Sequence, residues 1–382
     1  MPGVPDRQER FDVGIAGAGQ LARMTCLAAW PLGITVGVLG LENEPAAPLA
    51  AGVVSGDWHS TEDVAALGRA SQLVTLENEF VDAAALAAVD SAGTPVRPGP
   101  RALAVIQDKA TQKQRMNDAG LPTADWVVAQ TPADLAHAGN DLGWPLMLKA
   151  RKLGYDGYGN ATCANLDEAT LALERLDAGE GVLVERMIDF RRELAVMVAR
   201  NPTGEELAYP VVETVQEHHV CHEVVAPARI GGAESKHAAE IALAAAAAAE
   251  GVGVTGVELF QLDGGEVLVN ELAPRPHNSG HYSIEACETS QFENHLRGVL
   301  DLPLGPVEMR RPAAAMVNIL GTKKGPAEPR VDFASSVEGA HIHLYGKSEV
   351  RVRRKMGHVT ALASEADAAL AIARRAVEVI GL

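Results

Sequence analysis

Apolar and polar positions follow three rhythms along the chain, and each predicts a different kind of element. From residue 11 to about 100, short apolar runs ("FDVGIAG", "ITVGVLG", "QLVTLE") alternate with stretches of helical spacing over 20–30 and 61–70. That succession predicts a parallel sheet covered by helices. "GTPVRPGPRAL" at 93–103 is rich in Pro and Gly and predicts the exit from this first unit. A helix is expected over 108–120, capped by Asp108 and ended before Gly120. "TADWVVAQ" and "PLMLKAR" read as strands, while "ELAVMVARN", "LAYPVVETV" and "VCHEVVAPA" carry the period-two alternation of an antiparallel sheet. "SKHAAEIALAAAAAAEG" is helical on alanine propensity. From about 305, short strands ("AAAMVNILG", "AHIHLYG") lead to an amphipathic helix at 364–379. The pattern predicts an α/β and α+β chain of two or three domains.

Composition narrows the function classes. The 382 residues, 47% hydrophobic, suffice for a sizeable core. A formal charge of −17 argues against general nucleic-acid binding, which needs basic surface. No apolar run approaches the roughly 20 residues of a membrane span, and no apolar signal segment opens the chain, so no membrane association is expected. Cys26, Cys163, Cys221 and Cys287 lie far apart without a C-x-x-C, which predicts neither a disulfide scaffold nor a zinc site, but a reducing, cytoplasmic compartment.

Five stretches carry candidate chemistry. "VGIAGAGQLARM" at 13–24 satisfies G-x-G-x-x-[GA] through Gly17, Gly19 and Ala22, and Glu42 follows a second apolar run. Alone, this predicts a nicotinamide or flavin oxidoreductase. In "GVELFQLDGGEVLVNELAPRP" at 256–276, a two-residue turn at Gly264-Gly265 places Leu262 opposite Val267, Phe260 opposite Val269 and Glu258 opposite Glu271. Opposed like charges destabilise a sheet unless a cation compensates them, and Mg²⁺ favours carboxylate oxygens. The plainer alternative sends both side chains to solvent. Lys149 ends an apolar strand, and the following loop carries Gly154, Gly157 and Gly159, an anion cradle or else a mobile hairpin tip. After the hairpin come Arg275, His277 and Asn278, polar groups suited to a substrate. His277 and His281 have zinc-pair spacing, but Pro276 and Gly280 oppose the helix that a zinc pair requires. "YGKSEVRVRRKMGH" at 345–358 reads as a phosphate clamp through Lys347 and Arg354, or as a solvated strand.

Taken together, "GAGQLARM", "VTLENEF", "LKARKLGYDGYGN", "RRELAVMVARN", "YPVVETVQ", "VELF…VLVNELAPRPHNSGHYSIEACETSQFENHLR", "MVNILG" and "RRKMGH" resemble the N5-carboxyaminoimidazole ribonucleotide synthases of purine biosynthesis, in the ATP-grasp superfamily. The resemblance implies an N-terminal Rossmann-like parallel-sheet domain over 1–105. It implies a central ATP-grasp domain over 106–302 with a small lid at about 123–186, and a small C-terminal domain over 303–382. The implied reaction joins ATP, bicarbonate and 5-aminoimidazole ribonucleotide through carboxyphosphate. By the same resemblance, ATP meets Lys109, Lys149, the loop Gly154, Tyr155, Asp156, Gly157, Tyr158, Gly159 and Asn160, the hinge Glu185, Arg186, Met187 and Ile188, and Glu193, Gln216, Asn270 and Glu271. Glu258 and Glu271 hold Mg²⁺. The ribonucleotide meets Gly19, Gln20, Leu21, Glu77, Tyr155, Arg275, His277, Asn278, Lys347 and Arg354, with Glu79 at the border. Lys149, Asp156, Arg275 and His277 form the implied catalytic set. Many relatives have Arg at Lys109, His at Gln216 and R-P-G-R at Arg351–Arg354. A homodimer is also implied. The rival readings are the oxidoreductase and a non-catalytic nucleotide-binding relative.

Overall fold

The structure is a computed structural model describing residues 10–154, 159–217 and 220–382. Its first sheet is parallel, in the order Gly52–Ser55, Val36–Gly40, Val13–Ala16, Val74–Leu76. The expected apolar runs supply three of these strands; Gly52–Ser55 is a fourth that periodicity did not disclose. Helices Gln20–Ala29 and Thr61–Ala70 occupy the predicted spans. The Pro- and Gly-rich stretch at 93–103 is only partly a connector, because Gly99 and Pro100 start a helix, Pro100–Gln107. Asp108 then caps Lys109–Asp118 by accepting from Ala110 N and Thr111 N.

Four antiparallel strands between residues 126 and 186 form a separate small sheet, ordered Trp126–Ala129, Val182–Arg186, Leu146–Ala150, Asn160–Cys163. Helices Pro132–Leu142 and Leu166–Leu176 cover one face and share its apolar core. The large sheet is antiparallel, running Val267–Ala273, Gly253–Gln261, Arg192–Arg200, Val212–Glu217, Val220–Ala226, Ala313–Leu320, Lys355–Ala363, Ala340–Leu344. The C-terminal strands therefore continue the central sheet. "LAYPVVETV", expected as one strand, is two: Glu206–Ala208 and Val212–Glu217 pair with successive parts of Arg192–Arg200 on either side of Pro210. Proline has no N–H for the ladder. The alanine helix Gly232–Ala248 lays Ala238, Ala242, Ala245 and Ala246 against the large sheet, where small side chains allow close approach.

His295 ties the first, parallel sheet to the large sheet. Its Nδ1 accepts from Val254 N at 3.1 Å, which leaves Nε2–H to donate to Thr75 Oγ1 at 3.0 Å. The ring is fully buried, and burial pushes its pKa down from 6.5 to about 4. The unfolded chain binds a proton more readily, so the stability this residue contributes is intact above pH 6.5 and falls away between 6.5 and 4. Over that interval, denaturant titrations should show the unaltered protein losing about 3 kcal/mol more than His295→Gln. Equal losses would mean that burial does not depress the His295 pKa in the folded protein.

Candidate active site

Glu258 and Glu271 stand opposite each other on Gly253–Gln261 and Val267–Ala273. The register near the turn differs from the expected one, with Gln261 facing Val267, Phe260 facing Leu268 and Leu259 facing Val269. The loop has three residues rather than two. Leu262 N donates to Glu266 O at 2.9 Å, Gly265 N to Leu262 O at 3.0 Å, and Gly265 takes a φ of 82°. The ladder shifts again between Glu258 and Leu259, where Asn270 is the extra residue of a bulge. The bulge undoes the slip caused by the longer turn, so the two carboxylates still meet.

Cations surround this pair. Lys109, at the start of its helix, bonds Glu271 Oε1. Lys149, near the end of Leu146–Ala150, reaches Asn270 Oδ1 at 3.1 Å and Glu185 Oε2 at 2.6 Å. Lys113, one helical turn beyond Lys109, holds the other Glu185 oxygen at 2.7 Å. All three members of the Lys113–Glu185–Lys149 triad are buried. Burial pushes the Glu185 carboxyl up, but the two ammonium groups outweigh it and bring its pKa to about 2. Burial pushes Lys149 down, and Glu185 and Glu271 outweigh it, so Lys149 rises above the usual lysine value. For Lys113, burial wins and its pKa falls. Glu258 is raised to about 7 by burial, then by Glu271 and Glu193, against Lys109 and Lys355.

Arg275, His277 and Asn278 follow directly from the Glu271 strand. Arg275 grips Glu79 of the first unit through two bonds, Nε–Oε2 at 2.5 Å and Nη2–Oε1 at 2.9 Å. His277 Nε2 lies 3.5 Å from Glu258 Oε1, and its Nδ1 is 2.8 Å from Ser279 Oγ. Gln291 fixes the His277 backbone by accepting from its N and donating to its O. Asn278 exchanges side-chain bonds with buried Asn318. His281 is fully buried with Nδ1 2.9 Å from the Gln291 amide, and among the described residues no third His, Cys, Asp or Glu joins it and His277 in a metal site.

Gly154 and Gly159 bracket the glycine loop. A Cβ on Gly159 would lie 2.6 Å from Gly154 Cα, so the loop ends meet only because both are glycine. Asn160 pairs with Lys149 across the ladder. Tyr155, Asp156, Gly157 and Tyr158 lie outside the described residues. Arg186 bonds Asp125 and Leu142 O, and Met187 is exposed. Gln216 and Thr214 bond the Glu193 carboxyl, whose pKa is raised by burial. A cleft of about 260 Å³ passes Glu79, Lys109, Gly154 and Glu271.

The glycine turn of the first unit faces an anion, but that anion is internal. Gly19 N donates to Glu77 Oε2 at 2.6 Å and Leu21 N to Glu77 Oε1 at 3.1 Å. A half-buried carboxylate thus occupies the helix N-terminus where a dinucleotide pyrophosphate would sit. Gln20, next in line, accepts from Lys347 Nζ at 2.6 Å, joining the C-terminal and first units. Arg354 donates from Nη1 to Glu349 O at 2.8 Å.

Similarity to known proteins agrees with this geometry. Family models match residues 11–107 (ribonucleotide synthetase preATP-grasp domain), 114–292 (ATP-grasp domain) and 314–372 (phosphoribosylaminoimidazole carboxylase C-terminal domain). The N5-carboxyaminoimidazole ribonucleotide synthase of Synechococcus elongatus is 42% identical over 352 residues, 91% of this chain and 88% of the relative. The chain belongs to the N5-carboxyaminoimidazole ribonucleotide synthase family. It is an enzyme of the carboxylate–amine ligase type with the ATP-grasp fold. A carboxyaminoimidazole ribonucleotide synthase from Aspergillus clavatus, crystallised with ATP, superposes with a TM-score of 0.89 at 40% identity, covering 97% of this chain and 98% of the other. The structure of the Aspergillus clavatus enzyme with ADP and 5-aminoimidazole ribonucleotide also gives 0.89, at 39% identity over 97% and 99% of the two chains.

Within this synthase-family chain, Glu258, Glu271 and the Asn270 amide oxygen form a set of hard oxygen donors. Burial and repulsion already raise one of them, which fits a divalent cation. Among the described residues no group of three or more His, Cys, Asp or Glu forms a metal cage. The two carboxylates would therefore share such an ion with phosphate oxygens. Sequence reasoning missed Lys113, Gln291 and Asn318. For Lys113 a signal existed: in "DKATQKQ" it lies four residues after Lys109, on the same helix face.

Proposed function

We propose that this chain carboxylates 5-aminoimidazole ribonucleotide on its exocyclic amine, using ATP and bicarbonate and releasing ADP and phosphate. The carrying observation is the convergence of Lys109, Lys149, Asn270 and the opposed Glu258/Glu271 pair beside Arg275 and His277. A bicarbonate oxygen attacks the γ-phosphorus, the bond to the β,γ-bridging oxygen breaks, and ADP leaves. The amine nitrogen then attacks the carboxyl carbon of carboxyphosphate, the C–O bond to phosphate breaks, and the nitrogen gives up a proton. Lys149 and Lys109 oppose the charge spread over the phosphoryl oxygens. Arg275, held by Glu79, places its positive charge beside the opposed carboxylates, and His277 lies on the same edge as an acceptor for the amine proton. Mg²⁺ held by Glu258 and Glu271 would neutralise polyphosphate charge when bound.

Filling of the glycine turn by Glu77 counts against the oxidoreductase reading. No helix among the described residues is long and apolar enough to cross a membrane. Four free, buried cysteines support a cytoplasmic location. We also assign a homodimer, supported by exposed Leu27, Trp30, Val331 and Phe333; sedimentation at a single-copy mass would overturn it. The function is tested by ADP release from ATP and bicarbonate with and without the ribonucleotide. Strong stimulation by the ribonucleotide is expected. Nucleotide binding without turnover would instead favour a non-catalytic relative.

A further inference from the structure

The geometry points to Lys113 as a positioning residue for the nucleotide, offsetting the charge of the carboxylate that orients Lys149. Glu185 holds Lys149 at 2.6 Å and Lys113 at 2.7 Å, one on each oxygen, and Lys113 also donates to Val269 O at 3.3 Å, next to the Asn270 bulge. Lys113 is 3% exposed, Glu185 4% and Lys149 7%. With Glu185 alone, Lys149 would be well oriented but electrically cancelled, of little use to a polyphosphate. A second ammonium on the far oxygen leaves the group with one net positive charge, delivered at the Asn270 side. It also stops Glu185 from turning both oxygens onto Lys149 and drawing it away from Asn270. Lys113 touches neither the cleft residues nor the opposed carboxylates through any of these bonds, so it acts through Glu185.

Charge counting makes this testable. The triad carries one positive charge in the unaltered protein, none in Lys113→Met, two in Glu185→Gln, and one again in the double variant. ADP affinity by calorimetry and the melting temperature are read on the full chain, with the ATP dependence of ADP release as the kinetic readout. Lys113→Met is expected to bind ADP about tenfold more weakly and to raise KM for ATP by about the same factor, leaving KM for the ribonucleotide within about twofold. A purely packing role would lower the melting temperature and the active fraction without moving ADP affinity. Glu185→Gln should melt well below the unaltered protein or fail to fold, because it buries two uncompensated ammonium groups. The double variant should melt higher than Glu185→Gln and bind ADP within about threefold of the unaltered protein. Unchanged ADP affinity in Lys113→Met, or a double variant no more stable than Glu185→Gln, overturns the assignment. If Lys113→Met does not fold, the double variant decides it on the same two readouts. The kinetic readout rests on the proposed carboxylation; if turnover is absent while ADP binding follows this order, that reading fails and the role of Lys113 stands.

Discussion

Glu258→Gln is expected to lower ribonucleotide-stimulated ADP release by at least about 10³-fold, some 4 kcal/mol of transition-state stabilisation, while making the ligand-free protein more stable at pH 8. Both effects come from one carboxylate. Burial, Glu271 and Glu193 lift Glu258 to about 7, above its ordinary value. A carboxyl whose folded pKa is raised favours the folded state while protonated, so its contribution is complete below about pH 4.5 and is lost as pH rises through 7. At pH 8 the ionised side chain costs the fold free energy that an amide of the same shape does not. About a third of the Glu258 side chain meets solvent, and screening holds that cost to about 1–2 kcal/mol. Function demands the opposite: a cation shared with phosphates needs both charges present. Melting curves at pH 5 and pH 8, alongside the ADP assay, check the two signs together. A variant that is active, or less stable at pH 8 than at pH 5 relative to the unaltered protein, removes the argument for a cation between these strands.

The facing of Glu258 and Glu271 was legible because alternation and a Gly-Gly turn confine a hairpin to few registers. The route to it was not. The sequence contains no mark that Asp263 joins the loop or that Asn270 bulges, and these two one-residue shifts cancel. Lys149 was legible as a lysine ending an apolar strand beside glycines. Its partner Glu185 entered only through the resemblance, as part of a hinge, because burial between two lysines depends on how strand Val182–Arg186 and helix Lys109–Asp118 are brought together.

The glycine turn at 17–19 shows the same limit from the other side. Its local form, a strand running into a helix N-terminus, is present as expected, and it does cradle an anion. The identity of that anion depends on Glu77, at the end of a strand paired in parallel with the first. Parallel pairing of distant segments is invisible to local periodicity. So was the membership of Ala313–Leu320 and Lys355–Ala363 in the central sheet, where each strand is individually plain and only the edge it joins is undetermined by its own residues.

Lys149→Met should separate binding charge from fold. We expect kcat/KM for ATP to fall about 10²–10³-fold, the loss of a charge-assisted contact made mainly in the transition state. The fold should survive with little change in melting temperature, since Lys113 stays on Glu185 and the remaining pair is neutral. That separates it from Glu185→Gln, which leaves both lysines buried without a counter-charge. Lys149 is held above the ordinary lysine pKa once Glu185 and Glu271 outweigh burial, so it stays charged through neutral pH and its loss should be equally severe at pH 6 and pH 9. Lys149→Arg should recover little, because a planar fork cannot replace an ammonium seated between Glu185 Oε2 and Asn270 Oδ1. ADP release against ATP concentration at both pH values, with melting curves, reads every part of this. A pH-dependent loss would mean that another group carries the charge, and a collapse in stability matching Glu185→Gln would mean that Lys149 holds the fold rather than the nucleotide.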